Sequence, residues 1–157
     1  LDVLLGNAAI LGVLSPIGHI DPEMFEKVMA INVTANWRLI RSLDPLLRRS
    51  DAGRAIFVTS GVSRRAIPYW SAYAASKAAL DMLATTYAAE VAHTAVRVNL
   101  YNPGPMRTRL RAQAFPGEPE EQQVPPEAHG EGLVRLAMPS CTMTGEWVAG
   151  DEALARG

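Results

Sequence analysis

RAIFVTSGVSRRAIPYWSAYAASKAAL, residues 54–80, is the stretch whose reading decides the fold. Ala55, Ile56, Phe57 and Val58 form an apolar run too short for a helix and rich in β-formers, so it reads as a buried strand. Thr59, Ser60 and Gly61 end the strand, and a loop containing Pro68 follows. From Ser71 the sequence becomes alanine-rich and helix-favouring, to about Glu90. Tyr73 and Lys77 are four residues apart, which stacks them on one helix face.

This pairing has a chemical reading. A free tyrosine titrates near pH ~10 and is a poor acid or base at neutrality. A nearby ammonium favours the phenolate, so the spacing predicts a Tyr73 pKa lowered by Lys77, by roughly 3 units if the cation is partly buried. Ser60, at the strand end, could then hold a carbonyl oxygen while Tyr73 exchanges a proton with it. An amphipathic Tyr-x-x-x-Lys pair with no chemistry is the common alternative. The chain has thirteen Arg and only two Lys, Lys27 and Lys77. A compact, point-like cation beside Tyr73, in a chain that otherwise uses Arg, favours the chemical reading.

At these residues the sequence resembles the short-chain dehydrogenase/reductase family. That family carries Tyr-x-x-x-Lys on a helix and a serine thirteen residues before the tyrosine, which is the spacing from Ser60 to Tyr73. The resemblance extends over nearly the whole chain.

Composition is consistent with an enzyme of this kind. The 157 residues amount to one domain, 48% hydrophobic, enough to bury a sizeable core. A formal charge of −1 offers no general attraction to nucleic acid or anionic membrane. The lone Cys141 excludes an internal disulfide and fits a reducing cytoplasm. His19, His93 and His129 are scattered, so no metal site is expected. No apolar run suits a transmembrane helix.

The chain opens with a short apolar strand at residues 2–5, then turns at Gly6-Asn7-Ala8-Ala9. As a pattern this is a generic turn. The family has Asn-Asn-Ala-Gly here, after its fourth strand, and lines the cofactor pocket with its backbone; by that resemblance Asn7, Ala8 and Ala9 are cofactor-binding. Asp21-Pro22-Glu23 starts a helix, with Asp21 as N-cap and Pro22 at the first position. Helical periodicity runs to Arg49, with Pro45 expected to kink it. Asn32 lies among Met29, Ile31 and Val33, so it should be at least half buried. From the pattern it reads as a core asparagine bonding a neighbouring backbone group. The resemblance instead implies a catalytic Asn32 that distorts the helix and holds a relay water.

After the Tyr73 helix, residues 96–100 alternate as a strand that ends at Asn102-Pro103-Gly104-Pro105-Met106-Arg107-Thr108. Pro103 and Gly104 alone mark a sharp turn. The family's Pro-Gly-x-[Val/Ile]-x-Thr implies that Pro103, Gly104 and Met106 present backbone to the nicotinamide carboxamide, and that the Thr108 hydroxyl meets the cofactor. The run Thr108-x-x-Arg-x-x-Ala-x-Pro-Gly-Glu118 further resembles a bacterial subset. A helical turn or two follows Arg107. Residues 115–126 hold four prolines and a polar run, so they read as a mobile loop; the resemblance implies that 109–126 is a mobile loop that closes over substrate. Residues 127–138 form a plausible helix and 144–149 a last strand; Gly150-Asp151 half reproduces the family's ending.

Alternating strands and helices imply an α/β fold: a Rossmann-like, doubly wound parallel sheet with helices on both faces. By resemblance the chain begins at the family's fourth strand and is the C-terminal portion of a single catalytic domain, 1–157. The glycine-rich turn that receives the pyrophosphate is not matched anywhere in the sequence, so this chain by itself should bind dinucleotide poorly and lack activity. Leu1 is accordingly not expected to be the natural start. The resemblance implies hydride transfer between NAD or NADP and a small-molecule carbonyl/alcohol pair. Tyr73 would be the acid/base, Lys77 would also bind the nicotinamide ribose, and Ser60 would orient the substrate oxygen. A homodimer or homotetramer is expected from apolar surfaces on more than one face of the two long helices. A superfamily epimerase or dehydratase, or a catalytically silent scaffold homologue, are the alternatives. The substrate and the choice between NAD and NADP are not encoded in these motifs.

Overall fold

A computed structural model describes residues 1–150. Its sheet has four parallel strands in the order β1 (Val3–Gly6), β2 (Arg54–Val58), β3 (Arg97–Asn102) and β4 (Trp147–Ala149). Strand order follows chain order, so each link between strands must return along the sheet, and helices occupy those returns. They are α1 (Pro22–Met29), α2 (Ala35–Leu47), α3 (Ser71–Glu90), α4 (Arg109–Ala114) and α5 (Gly130–Ala137). The expected α/β class, the parallel sheet and the helices on both faces are all present.

The two faces follow from the period of two along a strand. Ala55, Phe57, Val98 and Leu100 point to one face and pack with Leu47 of α2 and Leu80, Ala84 and Ala88 of α3. Ile56, Tyr101 and Val148 point to the other and meet Leu136 of α5. All five residues of β2 are buried, which makes it the central strand foreseen from its unbroken apolar run. Its first residue, Arg54, is buried too. Its guanidinium donates to the carbonyls of Gly53, Ala95, Met138 and Pro139, tying β2 to the end of α5.

The helix expected from Asp21 to Arg49 is broken in a specific way. Between α1 and α2 a π-helical turn spans Ala30–Thr34. Such a turn shifts the bonding by one residue and changes the direction of the side chains after it. Pro45 lies inside α2. Asp21 precedes α1 but makes no side-chain cap; its backbone carbonyl accepts the Phe25 amide at 3.0 Å. The last strand is shorter than expected, and Asp151 lies outside the described residues. The segment 115–126 carries its own bonds in this structure. Arg107 N–H donates to Val124 O at 2.8 Å, and Arg111 pairs with Glu118. Among the described residues no helix is long and apolar enough to cross a membrane.

Candidate active site

The carboxyl ends of β1, β2 and β3 share one edge of the sheet, because all three strands are parallel. Asn7, Ser60 and Pro103 each follow one of these ends. Open α/β sheets bind their ligands along this edge.

Ser60 is extended (φ −152°, ψ 149°), and its hydroxyl acts on the Tyr73 phenol, favouring the ionised form. Tyr73 and Lys77 lie one helical turn apart on α3, with Lys77 Nζ 5.7 Å from the centre of the Tyr73 ring. Both side chains are buried, at 7% and 2% exposure. Lys77 Nζ donates to Val58 O, the last carbonyl of β2, at 2.8 Å. The fold thus assembles the three residues expected from their spacing.

Their electrostatics differ from expectation. Burial pushes the Tyr73 phenol up to about 12, only partly offset by the Ser60 hydroxyl. The Lys77 ammonium does not lower it. Burial draws Lys77 itself down to about 8, with the Asp81 carboxylate partly countering. The reason is desolvation: placing both groups under the same cover disfavours the phenolate and the ammonium alike. The predicted lowering of Tyr73 by Lys77 is therefore overturned for this structure, in which Tyr73 is a neutral phenol at pH 7.

Asn32 is fully buried, beyond the half burial expected. Its Oδ1 accepts the Ile10 amide and its Nδ2 donates to the Ile10 carbonyl, both at 2.9 Å. The second Nδ2 hydrogen goes to Ser76 Oγ at 2.9 Å, and Ser76 Oγ donates to Tyr73 O at 2.7 Å. The side chain therefore bonds neighbouring backbone, as its apolar context suggested, and bridges the loop after β1 to the turn of α3 that carries Tyr73. The Asn32 carbonyl, at the π turn, accepts from Asn36 Nδ2 at 2.9 Å. A Cβ on Gly6 would press against both the Asn36 amide oxygen and the Phe57 ring, so a larger residue there requires them to shift.

The residues expected to meet a cofactor lie around this centre. Asn7 and Ala8 are exposed beyond β1, and Ala9 is partly covered. Gly104 has φ +77° with open space around it, and its N–H donates to Asn102 Oδ1 at 3.2 Å. Met106 is half-buried; its carbonyl accepts from Thr108 Oγ1 at 3.4 Å. The same Thr108 oxygen caps α4, accepting the Arg111 amide at 3.2 Å. Among the described residues no group of His, Cys, Asp or Glu could hold a metal.

Two contributors were not singled out from the sequence. Asp81 accepts hydrogen bonds from Thr59 and from Ser63 (2.6 Å), which flank Ser60 on either side. It lies one turn beyond Lys77, a spacing visible in the sequence, but its hydroxyl partners come from another element. Ser76 stands inside the Tyr-Ala-Ala-Ser-Lys run, and only the fold shows that it meets Asn32.

Residues 1–119 match the family described as short chain dehydrogenase. The chain belongs to this family. It is 42% identical over 126 residues to the uncharacterized oxidoreductase YciK of Escherichia coli K12, covering 80% of this chain and 50% of that protein. A short chain dehydrogenase of Shigella flexneri 2a, crystallised with NADP, superposes with a TM-score of 0.92 at 38% identity, over 96% of this chain and 63% of the other. A counterpart from E. coli CFT073, complexed with NADPH, gives a TM-score of 0.91 at 38% identity, over 96% and 62%. The chain thus spans about half the length of the curated relatives it matches. This short chain dehydrogenase chain carries the edge of the sheet where Ser60, Tyr73 and Lys77 meet.

Proposed function

We propose that the chain forms the catalytic part of an NAD(P)-dependent oxidoreductase that interconverts a small-molecule carbonyl and its alcohol. The observation that carries this reading is the meeting of Ser60, Tyr73 and Lys77 at the carboxyl edge of the sheet, with Tyr73 and Lys77 both buried and Lys77 anchored to the last carbonyl of β2. Ser60 orients the substrate oxygen by hydrogen bonding. Tyr73, a phenol at neutral pH, is in the state that donates a proton to that oxygen during reduction. Lys77 uses one of its three hydrogens on Val58 and has two for ribose hydroxyls. Asn32 acts on the site through Ser76, and its carbonyl is the group suited to a relay water.

The residues present suit the nicotinamide half of a dinucleotide. Asn7, Ala8 and Ala9 offer backbone on one side, and Pro103, Gly104, Met106 and Thr108 on the other. The bound nicotinamide supplies the hydride chemistry. NADP is the favoured form, because two solved relatives hold NADP or NADPH. We further assign residues 109–126 to covering the substrate, and the complete enzyme to a cytoplasmic homodimer or homotetramer. Exposed Trp37 and Leu39 on α2 and Met82 on α3 support the association.

The test is Tyr73→Phe in the full-length protein. Turnover falls on the order of 10²–10⁴-fold while NADPH affinity stays within a few-fold. A variant keeping more than half the wild-type rate at saturating substrate removes Tyr73 from the chemistry.

A further inference from the structure

Trp70 lies three residues before Tyr73 and sets its ring edge-on to the Tyr73 ring, with centroids 6.1 Å apart at 64°. Phe115, just beyond α4, brings its ring to 5.8 Å from that of Trp70, tilted by 38°. The Arg111 guanidinium covers Phe115 at 3.9 Å from the ring centre, and two of its nitrogens donate to the Glu118 carboxylate at 2.6 Å. The wall beside the proposed proton donor is therefore aromatic, and the cation packed on it already has its counter-ion.

This wall is held in place. Tyr69 is the one non-glycine residue with positive φ among those described, at 74°. Such a conformation costs about 1–3 kcal/mol and persists where neighbours enforce it, often at functional sites. Here the Ser15 amide donates to Tyr69 O at 3.1 Å, fixing the turn that aims Trp70. On the other side Gln113 Nε2 donates to Gly12 O at 2.7 Å, anchoring α4 to the loop after β1. Yet the rings are not sealed: Trp70 is half-buried and Phe115 is 40% exposed. A large apolar surface kept open at fixed geometry is suited to a ligand.

Building on the oxidoreductase reading, we infer that Trp70 and Phe115 form a stacking wall of the substrate pocket, and that the site selects carbonyls or alcohols carried on a planar, apolar ring. Ring-on-ring contact in offset or edge geometry favours such a substrate over an aliphatic one of similar size. A carboxylate-bearing substrate gains nothing from Arg111, whose charge is engaged by Glu118.

The full-length enzyme with NADPH is assayed for kcat/KM on benzaldehyde, butanal and glyoxylate. Binding of benzamide and butyramide, which do not react, is followed on the NADPH complex by saturation-transfer NMR. Benzaldehyde is expected to exceed butanal and glyoxylate by at least tenfold. Trp70→Leu and Phe115→Leu each reduce the benzaldehyde-to-butanal ratio about tenfold and weaken benzamide more than butyramide. Phe115 is partly exposed, so its variant is informative even where Trp70→Leu folds poorly. A wild-type ratio near one, or ratios unchanged in both variants, overturns the wall while leaving hydride transfer intact. Trp70-dependent benzamide binding without turnover of any carbonyl upholds the wall and removes the oxidoreductase reading. Absence of both turnover and benzamide binding overturns both.

Discussion

At the scale of single residues, the site is governed by burial more than by pairwise attraction. Tyr73 and Lys77 are one helical turn apart, yet the phenol is raised and the ammonium lowered, because both lose water. Asp81 is the one carboxylate opposing this at Lys77, and it also receives the hydroxyls on each side of Ser60. Asp81→Asn should therefore let Lys77 lose its proton at lower pH. The alkaline limb of kcat/KM in the full-length enzyme is expected to move to lower pH; an unchanged profile detaches Asp81 from the site. Lys77 also makes stability pH-dependent. Its folded pKa of about 8 lies below the ordinary lysine value of 10.5, so between these values the unfolded chain binds more protons. Stability then rises with pH across that window and is lost as pH falls through about 8. The contribution is on the order of 1–3 kcal/mol. Urea midpoints of cofactor-free protein should climb from pH 8 to 10, and Lys77→Met should flatten that climb. Equal slopes in both proteins would refute it.

At the scale of elements, the π turn at Ala30–Thr34 connects parts that the sequence keeps far apart. Asn32, on this turn, bonds Ile10 through both its amide atoms and reaches Tyr73 through Ser76. Buried polar groups left without partners cost about 1–3 kcal/mol each. Asn32→Ala leaves the Ile10 amide and carbonyl without this partner, so a loss of about 2–4 kcal/mol is expected by denaturant unfolding. Faster hydrogen exchange at the Ile10 amide should accompany it. A variant within 0.5 kcal/mol of wild type would show that the bridge does not hold the loop. Gly12 serves the same loop. Its φ is +76°, and a Cβ there would stand 2.6 Å from Val28 Cγ2 of α1, so only glycine suits the position without rearrangement.

At the scale of the whole molecule, one side of the sheet is incompletely covered. Val3 and Leu5 alternate with buried residues in β1 and remain 40% and 44% exposed. β2 is the one strand paired to β1 among the described residues, which leaves the outer edge of β1 open. The chain also lacks a glycine-rich turn leading from a strand into a helix, the element that receives pyrophosphate. The 157-residue chain by itself is thus expected to bind NADPH more weakly than about 1 mM by calorimetry, and to associate through its exposed edge. Micromolar binding would mean that these residues hold the phosphates in another way.

What the sequence determined by itself is what depends on local periodicity and spacing. The apolar run at Ala55–Val58 specifies a buried strand, the alanine-rich segment a helix, and four-residue spacing the shared face of Tyr73 and Lys77. Strand ends then place Ser60 and Pro103 on one edge, since parallel strands align their carboxyl ends. The tertiary structure alone decided the sign of the Tyr73 shift, because desolvation depends on everything packed above a side chain and not on its neighbour in the helix. It also decided that Asn32 is occupied by Ile10, twenty-two positions away, and that Trp70 meets Phe115 across the turn and α4. Contacts between distant segments are set by how helices return onto the sheet, and no local pattern records that distance.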